Sequence, residues 1–293
     1  MTINAALVQE LRKVTGVGLM ECKAALVKAN GNMENAIKIL RESGHAKALK
    51  KSGRVATEGM VAIRVSEDNK AAFIAEINTE TDFAARDQSF IDFVARTMHR
   101  GLENQAIDLP SLLDLPVEIG KDLSIVQDCE ELVAKIGENI KVRRVAFMTS
   151  EGVVGTYCHN NKIGVLVSLS TSDIALGKEI AMHIAASKPV VINPEEIPSA
   201  LIDEEKEIFS KQAAQSGKPK EIIEKMVAGR IKKFVNEVSL LGQPYIKDPS
   251  ITVGELLNKS SAQVLAFVRF ELGEGVEKEE KDFVKEVIPQ ASK

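Results

Sequence analysis

Glu76-Ile77-Asn78-Thr79-Glu80-Thr81-Asp82-Phe83-Ala84-Ala85-Arg86-Asp87 is where the chain changes its period. The run Ala71 to Ile77 before it is strongly apolar, as a buried strand would be. After it, Phe90, Phe93, Val94, Thr97 and Met98 recur at the spacing of an amphipathic helix. The stretch therefore reads as a strand-to-helix turn, and it makes this part of the chain α+β. Asn78 to Asp82 are all polar, and then comes Phe83, a large ring with no apolar neighbour before it. Two explanations are open. The ring can fold back under its own helix as a staple to the core, or it can point outward as a wedge for a partner. Aromatic residues make up only 4% of the chain, but scarcity does not decide between them, and the residues alone favour the staple.

Upstream, Met60, Ala62 and Val65 alternate, and Glu67-Asp68-Asn69-Lys70 makes a turn into Ala71, so a β-hairpin precedes the polar turn. His45, Lys47, Lys50, Lys51 and Arg54 form either a solvated basic linker or an electrostatic contact for an acidic partner. Before them, Leu7, Val8, Leu11 and Val14 give one helix, broken by Thr15-Gly16-Val17-Gly18. A second helix runs from Leu19 to Ala29 and ends at Asn30-Gly31. Asn32 caps a third, whose Ala36, Ile37 and Leu40 face inward and which Ser43-Gly44 closes. Such a three-helix module, with few convergent polar groups, suits recognition better than catalysis.

Downstream, Asp108-Leu109-Pro110-Ser111 and Leu115-Pro116 mark irregular chain. Residues 121–137 predict a helix, and Asn139 to Met148 a strand carrying Arg143 and Arg144. A repeat then begins. Glu58-Gly59-Met60-Val61 is similar to Glu151-Gly152-Val153-Val154, and Asp68-Asn69-Lys70 to Asn160-Asn161-Lys162. Thr81-Asp82-Phe83 falls opposite Ser172-Asp173-Ile174. Two related α+β subdomains follow from this. At the third position the structural need is an apolar residue after Asp, and a ring exceeds that need. Residues 175–188 predict a helix. Two charged helices with narrow apolar stripes, joined at Gln215-Ser216-Gly217-Lys218-Pro219, then predict an antiparallel helical hairpin. Gly242 to Ile246 reads as a loop, Thr252 caps a short helix, and Gln263 to Leu272 predicts a returning strand. Phe283, Val284, Val287 and Ile288 in the tail have the spacing of a docking helix.

The 293 residues suffice for two or three domains, and 44% hydrophobic with 27% charged residues is the balance of a soluble globular protein. No apolar run spans a bilayer, and the N-terminus lacks a secretory signal. Cys22, Cys129 and Cys158 are odd in number and far apart, which fits a reducing cytosol better than a disulfide framework. A net charge of −4 argues against general phosphate-backbone binding. Gly16-Val17-Gly18 lacks a third glycine and joins two helices, so it is a poor dinucleotide signal. His45, His99, His159 and His183 have no metal spacing, and Cys158 and His159 are adjacent on a strand and point to opposite faces. The sequence offers recognition surfaces and no reaction centre.

Leu11-Arg12-Lys13-Val14-Thr15-Gly16-Val17-Gly18-Leu19-Met20-Glu21-Cys22-Lys23-Ala24-Ala25-Leu26 resembles the N-terminal signature of the bacterial elongation factor Ts family, and Thr81-Asp82-Phe83-Ala84-Ala85-Arg86-Asp87 resembles its second signature. Ile136-Gly137-Glu138-Asn139-Ile140, the run Ile180 to Pro189, Gln215 to Pro219, Gly242-Gln243-Pro244 and Arg269-Phe270-Glu271 are also similar, so the resemblance covers essentially the whole chain. It implies no bond-making enzyme. It implies the guanine-nucleotide exchange factor of elongation factor Tu, the GTPase that delivers aminoacyl-tRNA to the ribosome. The implied fold is α+β. A ubiquitin-associated-like three-helix module and linker span 1–54, with core subdomains at 55–141 and 142–274. The second subdomain carries the helical hairpin at about 190–241, and a C-terminal helical module spans 275–293. By the same resemblance Arg12, Leu19 and Met20 touch the nucleotide domain of Tu, and Lys23 and Lys51 add polar contacts. Thr81, Asp82, Phe83 and Ala84 form the insertion that disturbs the magnesium site, Ile136 supports it, and His159, Ile246 and Lys247 lie against another Tu domain. The partner implied is Tu in the cytoplasm, with no cofactor, metal, membrane or direct nucleic acid. A homodimer through the hairpin stays open.

Overall fold

Asn4, Asn32, Thr81, Asp87, Asp108, Ser124, Asp173 and Thr252 each turn a side-chain oxygen onto a free amide at a helix start, and these caps punctuate the fold. The computed structural model describes residues 3–120, 122–215 and 219–276. The tail carrying Phe283 to Ile288, and residues 216–218 of the turn between the two charged helices, lie outside them. The chain divides into two compact units, Met1–Ala62 with Ala75–Val145 and Glu271–Lys293, and Ile63–Ile74 with Ala146–Phe270.

In the first unit, helices α1 (Ala5–Thr15), α2 (Leu19–Lys28) and α3 (Met33–Lys51) share a small core of Val8, Leu11, Cys22, Leu26 and Ala36. The helix expected from Leu7, Val8, Leu11 and Val14 is α1, at whose end Val14 is 65% exposed. One expectation fails here. Helix α3 does not stop at Ser43-Gly44 but runs on to Lys51, so most of the expected linker is helix. Glycine inside a helix costs about 1 kcal/mol relative to alanine, but tertiary contacts outweigh that. Gly44 lies against Ala134, Arg41 pairs with Glu131 at 2.9 Å, and His45 bonds Glu130 at 2.7 Å.

Strands β1 (Glu58–Val65) and β2 (Ala71–Thr79) form the expected hairpin. The one-turn helix α4 (Asp82–Ala85) and the long α5 (Gln88–Glu103) follow. A short helix α6 (Leu109–Leu113), capped by Asp108, stands in the stretch expected to be irregular. Helix α7 (Ile125–Ile136) begins later than residue 121 because Ser124 and Gln127 build a capping box. Strand β3 (Lys141–Thr149) completes a sheet of order β1-β2-β3, and in its central strand every residue from Ala72 to Thr79 is buried. Helices α5, α6 and α7 pack on one another and bury Phe90, Phe93, Leu112, Ile125 and Val133.

In the second unit, β4 (Val153–His159) pairs antiparallel with β5 (Ile163–Leu169), from Val153 opposite Leu169 to His159 opposite Ile163. Helix α8 (Ile174–Ser187) packs across them, burying Ile180 and Ile184 against Val165 and Leu169. Helices α9 (Ser199–Ala214) and α10 (Lys220–Val238) lie against each other, seamed by Ala213 and Val227 and by Arg230, which donates to Gln212 at 2.7 Å. The expected loop at Gly242–Ile246 contains a strand: β6 (Pro244–Tyr245) pairs with β7 (Asp248–Thr252). Helix α11 (Val253–Lys259) and β8 (Val264–Glu271) follow, giving a sheet of order β4-β5-β8.

The sequence repeat has a steric counterpart. A Cβ on Gly59 would stand 2.1 Å from the carbonyl oxygen of Ile77, and one on Gly152 would stand 2.5 Å from that of Leu169. Each glycine lets the opening strand of its copy pass against the backbone of its copy's next strand. Among the described residues no helix is long and apolar enough to cross a membrane.

Candidate functional site

The polar turn ends in a helix too short to bury a ring. Thr81 is extended (φ −128°, ψ 157°), and its Oγ1 accepts the Ala84 amide at 3.2 Å. The inward side of α4 is filled by Ala84 and Ala85, and the core nearby is already occupied by Phe90 and Phe93 of α5. Phe83 is left 80% exposed, so the staple reading is overturned. Beside it, Asp82 receives a hydrogen bond from Arg86 at 2.9 Å, one helical turn on. Ala84 is buried and presents no surface, in contrast to the expectation that it touches a partner. In the second copy Ile174 is also exposed, at 55%, so neither copy needs its apolar residue for the core.

Beneath Phe83 two turns interlock. Gly137 ends α7 in the left-handed conformation (φ 89°), which re-aims the chain so that Glu138 faces the end of β2. Glu138 Oε2 accepts from Thr79 Oγ1 and from the Thr81 amide, both at 3.0 Å, and its Oε1 accepts from Thr81 Oγ1 at 2.7 Å. In return Glu80 Oε1 accepts the Asn139 amide at 2.6 Å. Asn139 donates from Nδ2 to the Arg54 carbonyl at 2.7 Å, and Lys51 donates from Nζ to the Gly137 carbonyl. Ile136 and the Thr81–Phe83 turn, expected at the insertion, thus converge on one loop, and Lys51, expected as a separate polar contact, joins them there. Lys51 spends its ammonium on that loop.

Arg12, Leu19, Met20 and Lys23 lie on the exposed faces of α1 and α2. Met20 is 76% exposed at the start of α2, where Gly18 supplies no side-chain cap. A cavity of about 190 Å³ opens near them, lined by Val14, Thr15, Val17, Ile37, Leu40 and Ala134 among others.

In the second unit His159 ends β4, its ring 6.1 Å from Tyr157 and its Nδ1 3.1 Å from the Tyr157 hydroxyl. Ile246 and Lys247 form the tip of the β6–β7 turn, which α8 holds. The Ile246 amide donates to His183 Nδ1 at 3.3 Å, so His183 carries its proton on Nε2 and donates it to Gln243 Oε1 at 2.9 Å. Burial pushes the His183 pKa below its ordinary value of 6.5, against the opposing Gln243 bond. Lys247 and the Tyr245 hydroxyl both donate to Glu179, each at 2.8 Å, which holds the Glu179 carboxyl below the usual range. Burial and the Glu179 charge push the Tyr245 phenol up to about 12. His159 hydrogen-bonds Tyr157 of its own strand and Asn160 of the turn that follows, not the Ile246–Lys247 turn. Sequence reasoning did not single out His183, Gln243, Tyr245 or Glu179; their partners lie 60 or more residues away.

Among the described residues no group of three His, Cys, Asp or Glu could hold a metal ion. Burial pushes the Cys129 thiol up to about 12, which leaves it protonated and unreactive. What the surface offers is apolar and ionic contact.

A family model described as Elongation factor TS matches residues 80–274, beginning within the turn that bears Phe83. The chain is 51% identical over 289 residues to the elongation factor Ts of Legionella pneumophila (strain Paris), covering 99% of this chain and 98% of that one. It is 50% identical over 291 residues to that of Methylococcus capsulatus (strain ATCC 33009 / NCIMB 11132 / Bath), covering 99% of each. It is 48% identical over 293 residues to that of Thioalkalivibrio sulfidiphilus (strain HL-EbGR7), again covering 99% of each. With half its residues shared along almost its whole length, the chain belongs to the elongation factor Ts family.

Proposed function

We propose that this translation elongation factor binds elongation factor Tu carrying GDP, promotes release of the GDP, and holds nucleotide-free Tu until GTP enters. No bond is made or broken by the chain itself, and the work is done in the cytoplasm. The observation that carries this reading is Phe83, 80% exposed on a turn whose Thr79 and Thr81 hydroxyls and Thr81 amide are bonded within the chain. A ring held out from a fixed base suits insertion between the elements of Tu that surround magnesium and the β-phosphate. Asp82 flanks it, and Ile136, half-buried beside the same loop, supports it. Arg12, Leu19, Met20 and Lys23 then meet the nucleotide domain. His159, Ile246 and Lys247 meet a second domain. Lys51 acts from within, through its bond to Gly137.

The energetics follow from linkage. GDP and the exchange factor must weaken each other's binding to Tu by the same factor. A buried aromatic anchor contributes ~2 kcal/mol or more, and each ~1.4 kcal/mol is a factor of ten. GDP release from Tu, followed with and without this protein, is the test. Acceleration is expected at stoichiometric protein. Phe83→Ala should slow release roughly tenfold or more with the melting temperature unchanged. Release that the protein does not accelerate overturns the proposal.

A further inference from the structure

We infer that Glu138 is a positioning residue for exchange: its carboxylate fixes the turn from which Phe83 projects. The inference rests on the reading of Phe83 as the inserting residue. Helix α4 is a single turn, and one turn is too short to hold itself, because fixing its dihedrals is repaid by few hydrogen bonds. The direction of Phe83 is therefore set by what anchors the two ends of α4. The C-terminal end is anchored by buried Ala84 and Ala85. The N-terminal end is anchored by Glu138, which takes three hydrogen bonds from Thr79 and Thr81.

Thr81 links the anchor to the helix. Its hydroxyl donates to Glu138 and accepts from the Ala84 amide. The hydroxyl does both from one atom. Aspartate at this position would still cap the helix but would offer no hydrogen to a carboxylate. Both oxygens of Glu138 are engaged within the chain by Thr79 and Thr81, so its role is assigned to the turn. It is delivered by the left-handed Gly137 and secured by the return bond from the Asn139 amide to Glu80. Without the carboxylate, the Thr81 amide and both hydroxyls lose an ionised acceptor, the turn frays, and Phe83 must be ordered at the moment of binding.

The test combines GDP release from Tu with amide hydrogen exchange of residues 81–87 in the free protein, using Glu138→Ala, Glu138→Gln, Thr81→Asp, Thr81→Ser and Phe83→Ala. Glu138→Ala is expected to slow release about tenfold, the loss of one ionic hydrogen bond or more, and to speed exchange of the Thr81 and Ala84 amides. Thr81→Asp should match it although the cap is kept, while Thr81→Ser recovers most of the rate. The double variant Glu138→Ala, Phe83→Ala should release GDP no more slowly than Phe83→Ala alone, because the two act through one ring. Wild-type release by Glu138→Ala and Thr81→Asp, or strictly multiplicative effects in the double variant, overturns the inference. Should Glu138→Ala melt without cooperativity, Glu138→Gln and the Thr81 pair decide it. If Phe83→Ala alone leaves release unchanged, the exchange reading fails, and amide exchange still reports whether Glu138 holds the turn.

Discussion

Glu76, the first residue of the polar turn's stretch, has no exposed surface. Burial by itself would raise its carboxyl pKa. The Gly273 amide at 2.9 Å, Arg143 at 2.9 Å, Arg144 at 2.6 Å and Asn78 at 3.1 Å outweigh that and hold it below the ordinary value. Glu76→Ala would leave two guanidinium groups without their carboxylate. Breaking a buried pair costs 3–5 kcal/mol, and because Arg143 and Arg144 keep some solvent the loss should be about 3 kcal/mol, read as a lower midpoint in urea unfolding. The sequence placed Arg143 and Arg144 on a strand without saying what they meet, because the partner lies 67 residues upstream and no local period encodes that pairing. Phe83 was legible only in steps. Local pattern favoured the core, the repeat showed that a ring exceeds the structural need, and the family resemblance then pointed outward.

Elements were more legible than their ends. The hairpin, the helices with apolar faces and the caps at Asn32 and Thr252 all stand where the sequence puts them. The misses share a cause. At Ser43-Gly44 and at Gly242–Ile246, breaker residues were read as breaks, yet packing on α7 and pairing with β7 keep the structure going. The pair α9 and α10 shows the opposite balance. Among the described residues each has a single buried position, Ala213 or Val227, whereas α8 buries seven of its fourteen residues. Helices with so little apolar cover open locally at low cost. Amide hydrogen exchange should therefore be at least roughly tenfold faster across α9 and α10 than across α8, measured at neutral pH in the free protein.

Over the whole molecule, the repeat announced two hairpin-and-helix halves, and the paired glycines 59 and 152 give it a steric basis. The sequence could not show that the halves carry different titrating groups. His183 is neutral in the folded state with its pKa pushed below 6.5, so the unfolded chain binds the extra proton first. Stability is then full above the unfolded value and falls as pH drops through 6.5, at no more than about 1.4 kcal/mol per pH unit for one proton. The Glu76 carboxyl is depressed from 4.5, so its contribution persists until pH falls below that value. Thermal melting between pH 7.5 and 3.5 should show two acid-side losses, the first centred on the second unit. His183→Gln should remove the first loss and leave the second.

Helix α3 begins in the three-helix cluster and ends at the loop beneath Phe83 without a break. A helix advances about 1.5 Å and turns about 100° per residue. One residue added near Gly44 would therefore swing Leu19 and Met20 by about 100° around the α3 axis. Seven would nearly restore their bearing, off by ~20°, but carry them about 10 Å farther away. The two patches proposed to meet Tu are held at a fixed azimuth and reach by a whole number of residues. An insertion or deletion that a flexible tether would absorb becomes here a misalignment of one proposed patch against the other.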